Sequence, residues 1–333
     1  MEYAHILLML IIILIAAEVF TNALEHLGEK LHISEGVTGS LFAAVGTAMP
    51  ETLVPLLAIF GGTANAKVNE EIGVGAILGA PLMLSTLSLF LMALAVVGKR
   101  GISGHLQPEH TGLTRDLSFF LMAFGLSCVA LFVPHTNPAM RMALAAGMVL
   151  IYFVYIMLTL RASAKLVEDG HATEAEEKMF LARIGLPENM LTILIQIGLG
   201  LGLLIFGAKG FIHDVEILSP QLGISALVLS LMIVPVATEL PEKVNSILWI
   251  RKHKDTLAFG NITGAMVFQG TLLPAIGVML TPWEPQREVL AGVVITLIAA
   301  GWMRLLAMRG QLRVWHLFVN GALYATYLAI ALA

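Results

Sequence analysis

Two short stretches of this sequence decide its fold. The first reads Gly46-Thr47-Ala48-Met49-Pro50-Glu51, the second reads Ala237-Thr238-Glu239-Leu240-Pro241-Glu242, and each lies within a long apolar segment. A proline interrupts the hydrogen-bond ladder of a helix because it has no N–H group to donate. A carboxylate inside a membrane costs free energy unless a cation lies beside it. Two such stretches in corresponding positions of two halves are typical of an ion site built from broken helices.

The composition is that of a membrane protein. Hydrophobic residues make up 58% of the chain, charged residues make up 13%, and the mean hydropathy is +0.87. A soluble domain is about half apolar and about a quarter charged. We therefore predict an all-α, polytopic membrane protein with little chain outside the bilayer. The net charge of −4 comes without a basic run, so nucleic acid is not a predicted partner.

Ten segments are apolar and long enough to cross a bilayer as helices, which takes roughly 20 residues each. They are residues 5–27, 36–60, 71–97, 115–133, 140–160, 188–210, 221–249, 256–280, 287–306 and 313–332. The longest polar interval between them, residues 161–187, divides the segments five to five.

The two groups of five segments are predicted to be inverted repeats. A shift of 191 positions aligns identical polar residues of the two halves without a gap: Thr47 with Thr238, Pro50 with Pro241 and Glu51 with Glu242. A shift of 185 then aligns Gly75, Gly79 and Thr86 with Gly260, Gly264 and Thr271. Because each half has an odd number of helices, the halves must be inverted. We predict a first repeat over 1–160, a linker over 161–187 and a second repeat over 188–333.

Lysine and arginine in the short loops predict the orientation, since cytoplasmic loops carry more of them. Loops after odd-numbered segments hold thirteen, from Lys30 to Arg313, and loops after even-numbered segments hold three, Lys67, Arg141 and Arg287. This bias predicts a cytoplasmic linker, both termini outside, and a location in the cell (inner) membrane.

The residue types of the two motifs suit a hard cation. Carbonyl groups freed by a broken helix, carboxylates and the hydroxyls of Thr47 and Thr238 are oxygen ligands, which Na⁺ or Ca²⁺ prefers over a soft metal. Glu51 and Glu242 are the predicted metal ligands, because an ionisable residue in the middle of a membrane is functional by default. The paired glycines at 75, 79, 260 and 264 are predicted to let the third and eighth segments pack closely against the broken helices.

These motifs resemble those of the cation/calcium exchanger superfamily, in particular its sodium/calcium exchanger branch. The resemblance covers nearly the whole chain: five plus five segments, the linker and both repeats. It implies electrochemical exchange of Ca²⁺ against Na⁺ or H⁺ by alternating access, with rocking of the first and sixth helices. It also implies carboxylate ligands at Glu51 and Glu242 and threonine ligands at Thr47 and Thr238.

The sequence departs from the family pattern at several site positions. The third segment has Ala80 and Leu84 where the family usually has a small polar residue and then Asn or Asp. The eighth segment has Ala265 and Gln269 at these positions and retains Asn261. The second repeat is therefore richer in polar groups, and Asn261, Gln269 and Glu239 join the predicted cation-binding residues.

Lys243 directly follows Glu242, which the family pattern does not predict, and it stands four residues after Glu239. Glutamate and lysine in this order and spacing form a favourable ion pair on a helix. Two interpretations follow. Lys243 either neutralises Glu239 within the protein, or it takes the place of a bound cation. In both cases Lys243 compensates charge, and Glu51 and Glu242 remain to balance one Ca²⁺ or two Na⁺.

The predicted function is secondary active antiport of cations, with Ca²⁺ against Na⁺ as the first choice. A proton-coupled exchanger, or one whose substrate is not Ca²⁺, is the alternative within the same fold. A cation channel fits less well, because the repeat yields one enclosed site per chain rather than a ring of identical ligands. An enzyme is not predicted, since neither a nucleophile nor a metal triad is visible. The expected partners are inorganic cations and lipid, without a cofactor, and the oligomeric state stays open.

Overall fold

A computed structural model describes residues 2–30, 49–167 and 178–333 of the chain, without the side chains of residues 2, 28, 29, 49, 50, 160, 162–167, 237 and 240–242. Of the described residues, 83% are helical, and these residues form no strand beyond an isolated bridge between His105 and Arg313. The helices, in chain order, are α1 Glu2–Lys30, α2 Met49–Gly61, α3 Ala66–Met83, a π-helical turn Leu84–Ser88, α4 Leu89–Arg100, α5 His110–Ala130, α6 Pro138–Val167, α7 Phe180–Arg183, α8 Met190–Leu222, α9 Ala226–Arg251, α10 Asp255–Gln269, α11 Leu272–Leu280, α12 Arg287–Arg309 and α13 Val314–Ala331.

Within the described residues, eight helical segments are long and apolar enough to cross a membrane. Two shorter apolar helical segments, Glu51–Gly61 and Ala226–Val236, adjoin the two motifs: the first begins at the last motif residue, Glu51, and the second ends one residue before Ala237. The predicted all-α membrane fold is therefore confirmed. Each of the ten predicted segments overlaps one of these helical regions, but residues 31–48 lie outside the described part, so the count of ten spans stays a prediction.

Local signals in the sequence set several helix ends. The side chain of Asn189 accepts a hydrogen bond from the Thr192 N–H at 3.0 Å and starts α8, and Ser225 does the same for Val228 at 3.2 Å and starts α9. Such side-chain caps satisfy N–H groups that have no partner within the helix. Gly223 ends α8 with φ of +70°, a left-handed conformation that glycine adopts without a Cβ clash.

The predicted break at Pro241 is wrong, because α9 runs without interruption from Ala226 to Arg251. A proline removes one N–H bond, and a membrane helix tolerates this loss where neighbouring groups take over the freed backbone. The hydroxyl of Thr238 donates to the Val234 carbonyl at 3.0 Å, within the same stretch. The corresponding break at Pro50 stays a prediction, because the residues before Met49 lie outside the described part.

Buried apolar side chains form two separate clusters. One cluster combines α1 and α8, here called the outer pair, with one face each of α2, α3 and α9. The other cluster, here called the core, combines α4–α6 and α10–α13 with other faces of α3 and α9. Ile72 of α3 and Leu229 of α9 belong to the first cluster, whereas Ile77 and Leu231 belong to the second. Both α3 and α9 therefore lie on the boundary between two packing units.

The two helices of the outer pair run antiparallel along their length. A Cβ on Gly200 would lie 2.9 Å from the Cβ of Phe20, one on Gly207 would lie 2.9 Å from Ile13, and one on Gly210 would lie 2.3 Å from Met9. From Gly200 to Gly207 the chain of α8 advances by seven residues, whereas the contacted residue of α1 moves back by seven, from Phe20 to Ile13. The two helices therefore run in opposite directions. At one end, His5 Nδ1 lies 2.7 Å from an oxygen of Asp214, and at the other Gln196 donates to Asn22 at 2.9 Å.

Glycines also bring α3 against α9, as predicted. A Cβ on Gly75 would lie 2.5 Å from the Leu227 carbonyl oxygen, and one on Gly79 would lie 2.3 Å from that of Leu231. Pro235 leaves the Leu231 carbonyl without its helical donor, and the backbone of Gly79 packs directly onto that oxygen. The same prediction for Gly260 and Gly264 stays open, because the first-repeat motif helix that they should face lies in part outside the described residues.

Two buried arginines tie the ends of the core helices together. Arg100 of α4 donates to both carboxylate oxygens of Asp255, at 2.7 and 2.8 Å, and to the carbonyl of Ile250. Arg141 of α6 donates to the backbone carbonyl of Val278, in the last turn of α11, and to that of Thr281, directly after α11, at 2.8 Å. The first contact joins α4, α9 and α10, and the second satisfies carbonyl groups that a helix C-terminus leaves without donors.

Candidate functional site

A buried ion pair marks the centre of the second-repeat motif. On α9, the Nζ atom of Lys243 lies 3.3 Å from Oε2 of Glu239, and the two side chains are only 2% and 1% exposed. The predicted pairing of these residues is therefore confirmed. The distance is longer than the roughly 2.7–2.9 Å of a tight charged hydrogen bond, so the contact is mainly an attraction between charges. The burial excludes an orientation of Lys243 towards lipid or headgroups.

Helix α10 supplies polar groups to the same place. The Nζ atom of Lys243 lies 3.5 Å from the backbone carbonyl oxygen of Asn261, and the Asn261 side-chain amide donates to the buried hydroxyl of Ser246 at 2.8 Å. Asn261 therefore approaches the predicted site with its backbone and binds α9 with its side chain. Ser246, one turn after the motif, was absent from the sequence prediction and reveals itself only through this contact.

Glu51 lies in the first turn of α2 and is 3% exposed. One turn later, Val54 belongs to the apolar cluster that also contains Val234, which precedes Thr238 on α9 by one turn. Thr238 is buried too, and its hydroxyl proton is directed to the Val234 carbonyl, so its lone pairs are available to a cation. The first-repeat carboxylate and the second-repeat hydroxyl thus both lie inside the protein.

Gln269 ends α10, and the chain turns at Gly270 and Thr271 before α11 begins. Its side chain is 2% exposed, and its Oε1 atom has no hydrogen-bond partner among the described residues. The aligned position of the first repeat, Leu84, opens the π-helical turn of the third segment. Both repeats therefore carry an irregular helical turn at this point, and such irregularities are frequent at functional sites.

Thr47 lies outside the described residues, and the side chain of Glu242 is not described. The structure joins Glu239, Lys243 and Asn261 by direct contacts and buries Glu51, Thr238 and Gln269. The role of each of these residues towards a cation stays a prediction.

A sequence profile of one known family matches most of the chain. It is that of the sodium/calcium exchanger protein, and it matches residues 2–161 and residues 192–333. The chain belongs to this family. The predicted resemblance to the cation/calcium exchanger superfamily is confirmed, and the family is one of cation exchangers rather than of enzymes.

Known proteins resemble this chain in sequence and in fold. CaxA of Alkalimonas amylolytica is 23% identical over 277 residues, which cover 83% of this chain and 80% of the relative. The inner membrane protein YrbG of Escherichia coli K12 is 23% identical over 275 residues, which cover 83% and 78%. The solved structure of the H⁺/Ca²⁺ exchanger CAX has the same fold, with a TM-score of 0.72, 16% identity and coverage of 98% and 82%.

For this family member, the structure also reveals a buried carboxylate that the sequence reasoning missed. Asp116 of α5 is 6% exposed, and it accepts hydrogen bonds from the hydroxyls of Thr263 at 2.7 Å and Tyr155 at 3.1 Å. Arg115 lies 3.7 Å away. The network joins α5, α6 and α10. Its member on α10, Thr263, lies two residues after Asn261. The available signal was an ionisable residue at the start of the predicted segment 115–133.

An acidic cavity of about 210 Å³ opens at the end of α3, on the face predicted to lie outside. Glu70, Glu71 and Glu284 line it, with Lys67 as the cation among its lining residues and 3.9 Å from Glu71. Carboxylates around a cleft raise the local concentration of cations. The buried apolar residues of its lining, Val74, Leu227, Trp283 and Val289, all belong to the core cluster.

Proposed function

We propose that this chain is a secondary active antiporter that exchanges Ca²⁺ for Na⁺ by alternating access at a site in the middle of the membrane. The observation that carries the proposal is the burial of Glu51, a carboxylate on an apolar helix, in a chain of the sodium/calcium exchanger family. An ionisable residue buried on an apolar membrane helix is functional by default, so in a member of this family Glu51 is a candidate ligand of the transported ion.

In this proposal, Glu51 and Glu242 are the principal ligands of Ca²⁺. Thr47, Thr238, Asn261 and Gln269 add neutral oxygens, and Glu239 contributes a carboxylate that Lys243 balances. Ca²⁺ takes six to eight oxygen ligands in flexible geometry, so a mixture of carboxylate, hydroxyl, amide and backbone oxygens suits it. The buried Oε1 atom of Gln269 is an oxygen of this kind.

Ten membrane-spanning helices in two inverted repeats are part of the same proposal. Three observations support the inversion. The family profile matches two stretches, 2–161 and 192–333, and the interval between them nearly coincides with the predicted linker 161–187. The 191-position shift relates Phe20 of α1 to Phe211 of α8, and both are buried in the outer pair. The helices that this shift relates, α1 and α8, run antiparallel, as an inversion requires.

The orientation follows from the loop charges, with the linker 161–187 in the cytoplasm, both termini outside and the chain in the cell (inner) membrane. A cysteine at Ala172, in a Cys128→Ala background, should react with an impermeant thiol reagent only after the cells are permeabilised. Labelling of intact cells would reverse the two faces.

Alternating access finds support in the division of the apolar side chains into two clusters. The outer pair packs on α2, α3 and α9, whereas the rest of the chain forms a second unit. Because the cluster boundary passes through α3 and α9, a displacement of the outer pair would uncover the motif residues from one side or the other. Rigid packing units that move against each other are the usual basis of such transport.

A disulfide across the outer pair tests whether α1 and α8 move as one unit. Cysteines at Phe20 and Gly200, in the Cys128→Ala background, place their Cβ atoms close enough for a disulfide after a small shift. We expect the oxidised protein to keep most of its cation flux, as measured in proteoliposomes before and after reduction. Flux that stops on oxidation and returns on reduction would mean that the two helices slide past each other.

Proton coupling is the second candidate, and the departures in the ligand set favour it. Ala80 and Leu84 offer no side-chain oxygen on the third segment, and Lys243 already occupies part of the second-repeat motif. Fewer oxygens are then left to coordinate several Na⁺ ions. Carboxylates that are crowded together can exchange protons instead, because each one raises the pKa of the next.

Uptake of radioactive Ca²⁺ into proteoliposomes tests the proposal, with an outward Na⁺ gradient and an outward H⁺ gradient imposed in turn. We expect uptake that one of the gradients drives and that disappears when this gradient is removed. Current without dependence on a counter-ion would indicate a channel. Absence of Ca²⁺ uptake under both gradients would reject Ca²⁺ as the substrate.

Glu51→Gln sharpens this test, since it removes a charge and keeps the shape of the side chain. We expect Ca²⁺ uptake to fall to the background of empty liposomes while the protein inserts and purifies normally. The matched control is Glu18→Gln, a carboxylate on α1 that is exposed. The Glu18→Gln control should retain Ca²⁺ uptake. Normal uptake by Glu51→Gln would mean that Glu51 has a structural or peripheral role and does not bind the transported ion.

A further inference from the structure

The surroundings of Lys243 are those of a bound monovalent cation. Its ammonium group lies between a carboxylate oxygen of Glu239, at 3.3 Å, and the backbone carbonyl oxygen of Asn261, at 3.5 Å. The two oxygens come from neighbouring helices, α9 and α10. A carboxylate and a carbonyl are the ligands that a hard monovalent ion takes. Lys243 as a whole residue is 1% exposed, so neither water nor lipid headgroups stabilise its charge.

The pair is an addition to one repeat only. Under the 191-position shift, Glu239 corresponds to Ala48 and Lys243 corresponds to Thr52. A pair that served only to hold the repeat fold together would be needed in both halves. Glu239 lies within the motif stretch and Lys243 directly follows it, so the pair stands on either side of Pro241 and Glu242 rather than at a helix end.

The charge of the motif residues gives the pair a consequence for transport. Glu51, Glu239 and Glu242 contribute three negative charges, and Lys243 returns one positive charge, so two negative charges remain. One divalent cation or two monovalent cations neutralise them. Without Lys243, three negative charges would remain in a site of low dielectric constant, and a third monovalent cation would be required, because an uncompensated buried charge is costly.

We propose that Lys243 is a resident cation that occupies one monovalent position of the transport site, so that the chain exchanges one divalent cation for two monovalent cations. This inference rests on the proposed function, since it counts the ions of the same site. Lys243 is thereby a residue that determines stoichiometry: it replaces an ion that would otherwise have to be bound and released in each cycle.

Variants of Lys243 and Glu239 separate this role from a structural one, because they change the net charge of the site in known steps. Lys243→Arg keeps two negative charges and Lys243→Met leaves three. The double change Glu239→Gln with Lys243→Met returns the site to two. A further control, Arg100→Met with Asp255→Asn, removes the other ion pair of comparable burial, which lies at a helix end outside the motifs.

The experiment measures the coupling ratio in proteoliposomes at equilibrium. The final Ca²⁺ ratio across the membrane is recorded for several imposed ratios of the monovalent ion that drives the wild type, Na⁺ at equal pH or H⁺, with the membrane potential held at zero. The slope of the logarithmic plot gives the number of monovalent ions per Ca²⁺. We expect a slope of two for the wild type, Lys243→Arg, the double variant and the Arg100 control, whatever their rates, and three for Lys243→Met.

Membrane potential provides a second readout. Exchange of two monovalent ions for one Ca²⁺ moves no net charge, so the wild-type equilibrium should not respond to voltage. With a third ion, each cycle of Lys243→Met moves one charge, and a potential of about 59 mV should shift its Ca²⁺ ratio tenfold.

The possible outcomes distinguish the two proposals. A slope of two and no voltage response in Lys243→Met would overturn the role of Lys243 while the antiport stands. A slope of three in the wild type would overturn it as well. If Lys243→Met does not fold, a slope of three in the double variant, whose charge is unchanged, would overturn the inference, and a slope of two would support it. A wild type that exchanges no cations at all would reject the proposed function together with this inference.

Discussion

The outer pair and the core differ in how they bury the same kind of apolar helix. In the two outer spans, Tyr3–Leu27 and Met190–Leu222, only 28% and 33% of the apolar window is buried inside the protein. The spans outside the outer pair vary more widely: the fraction is 67% in Ala66–Arg100, whose helix α3 lies on the boundary of the two units, and in Asp255–Leu280, but 17% in Pro138–Thr159 and 28% in Val314–Ala331. The outer pair is therefore peripheral along both of its helices, whereas the core combines peripheral helices with α10, which is surrounded by protein.

Polar contacts follow the same division. Among the described residues, His5 pairs with Asp214 at one end of the outer pair, and at the other end the Gln196 amide donates to the Val19 carbonyl and to the Asn22 side chain. The core has buried contacts that include charged groups, such as the pair of Arg100 with Asp255 and the network around Asp116. The comparison teaches that one unit resists displacement and the other can move as a body across it. Four predictions, two of them paired, test this division.

The largest effect is expected where the two units meet. Gly79→Leu places a side chain where even a Cβ would lie 2.3 Å from the Leu231 carbonyl oxygen. Since neither backbone can retreat, we expect a loss of more than about 3 kcal/mol and almost no folded protein. The measurement is the yield of monodisperse protein in detergent. Gly202→Leu, at a site on α8 with no described heavy atom within 4 Å, is the control and should purify normally.

The next effect compares one paired carboxylate of the core, Asp255, with one of the outer pair, Asp214. Asp255→Asn leaves the buried guanidinium of Arg100 without its counter-charge, and breaking such a pair costs about 3–5 kcal/mol. Asp214→Asn should cost less, about 1 kcal/mol, because its partner His5 is 49% exposed and keeps its hydration. Thermal unfolding of both variants in one detergent measures the difference. Equal losses would contradict the distinction between the two units.

The smallest effect is expected at a surface cap of the core. Burial alone would raise the pKa of Glu109. Hydrogen bonds from the N–H groups of Gly112 and Thr111 and the charge of Arg115 outweigh it and hold the pKa below the ordinary value. The carboxylate therefore stabilises the folded protein above its unfolded pKa, and this contribution disappears as the pH falls through the folded pKa. Glu109→Gln should lower stability by about 0.5 kcal/mol at pH 7.

The measurement for Glu109 is thermal unfolding of the variant and the wild type at pH 7 and at pH 3. The difference between them should shrink at the lower pH, where the wild-type carboxyl is increasingly protonated. A difference of the same size at both values would show that the cap works by shape rather than by charge.

Much of the fold follows from the sequence because a membrane helix is recognisable from its local sequence. Long apolar runs and cap residues such as Asn189 and Ser225 depend only on neighbours in the chain. The pairing of Glu239 with Lys243 was predictable for the same reason, since four residues along a helix bring side chains together. The glycines of α3 were predictable as contact points, although their partners Leu227 and Leu231 were not.

What the sequence did not reveal depends on contacts between distant segments. The break at Pro241 was expected from proline chemistry, but tertiary packing lets α9 continue. The hydrogen bonds of Asp116 come from Tyr155 and Thr263, which are 39 and 147 residues away in the chain. The division into an outer pair and a core is likewise a property of packing, because it depends on which side chains of distant helices contact each other.

The close contact within the outer pair has an uneven composition. The glycines at the close contacts of the two helices all belong to α8, at positions 200, 207 and 210. Helix α1 has no glycine before Gly28 and supplies the bulky side chains of Phe20, Ile13 and Met9. Two copies of α1 would lack gaps for their bulky side chains, and two copies of α8 would lack side chains for their gaps. Specific partners exclude competitors in this way. In a membrane that holds many copies of the chain, the composition of the two helices directs each half to the other half and away from a duplicate of itself.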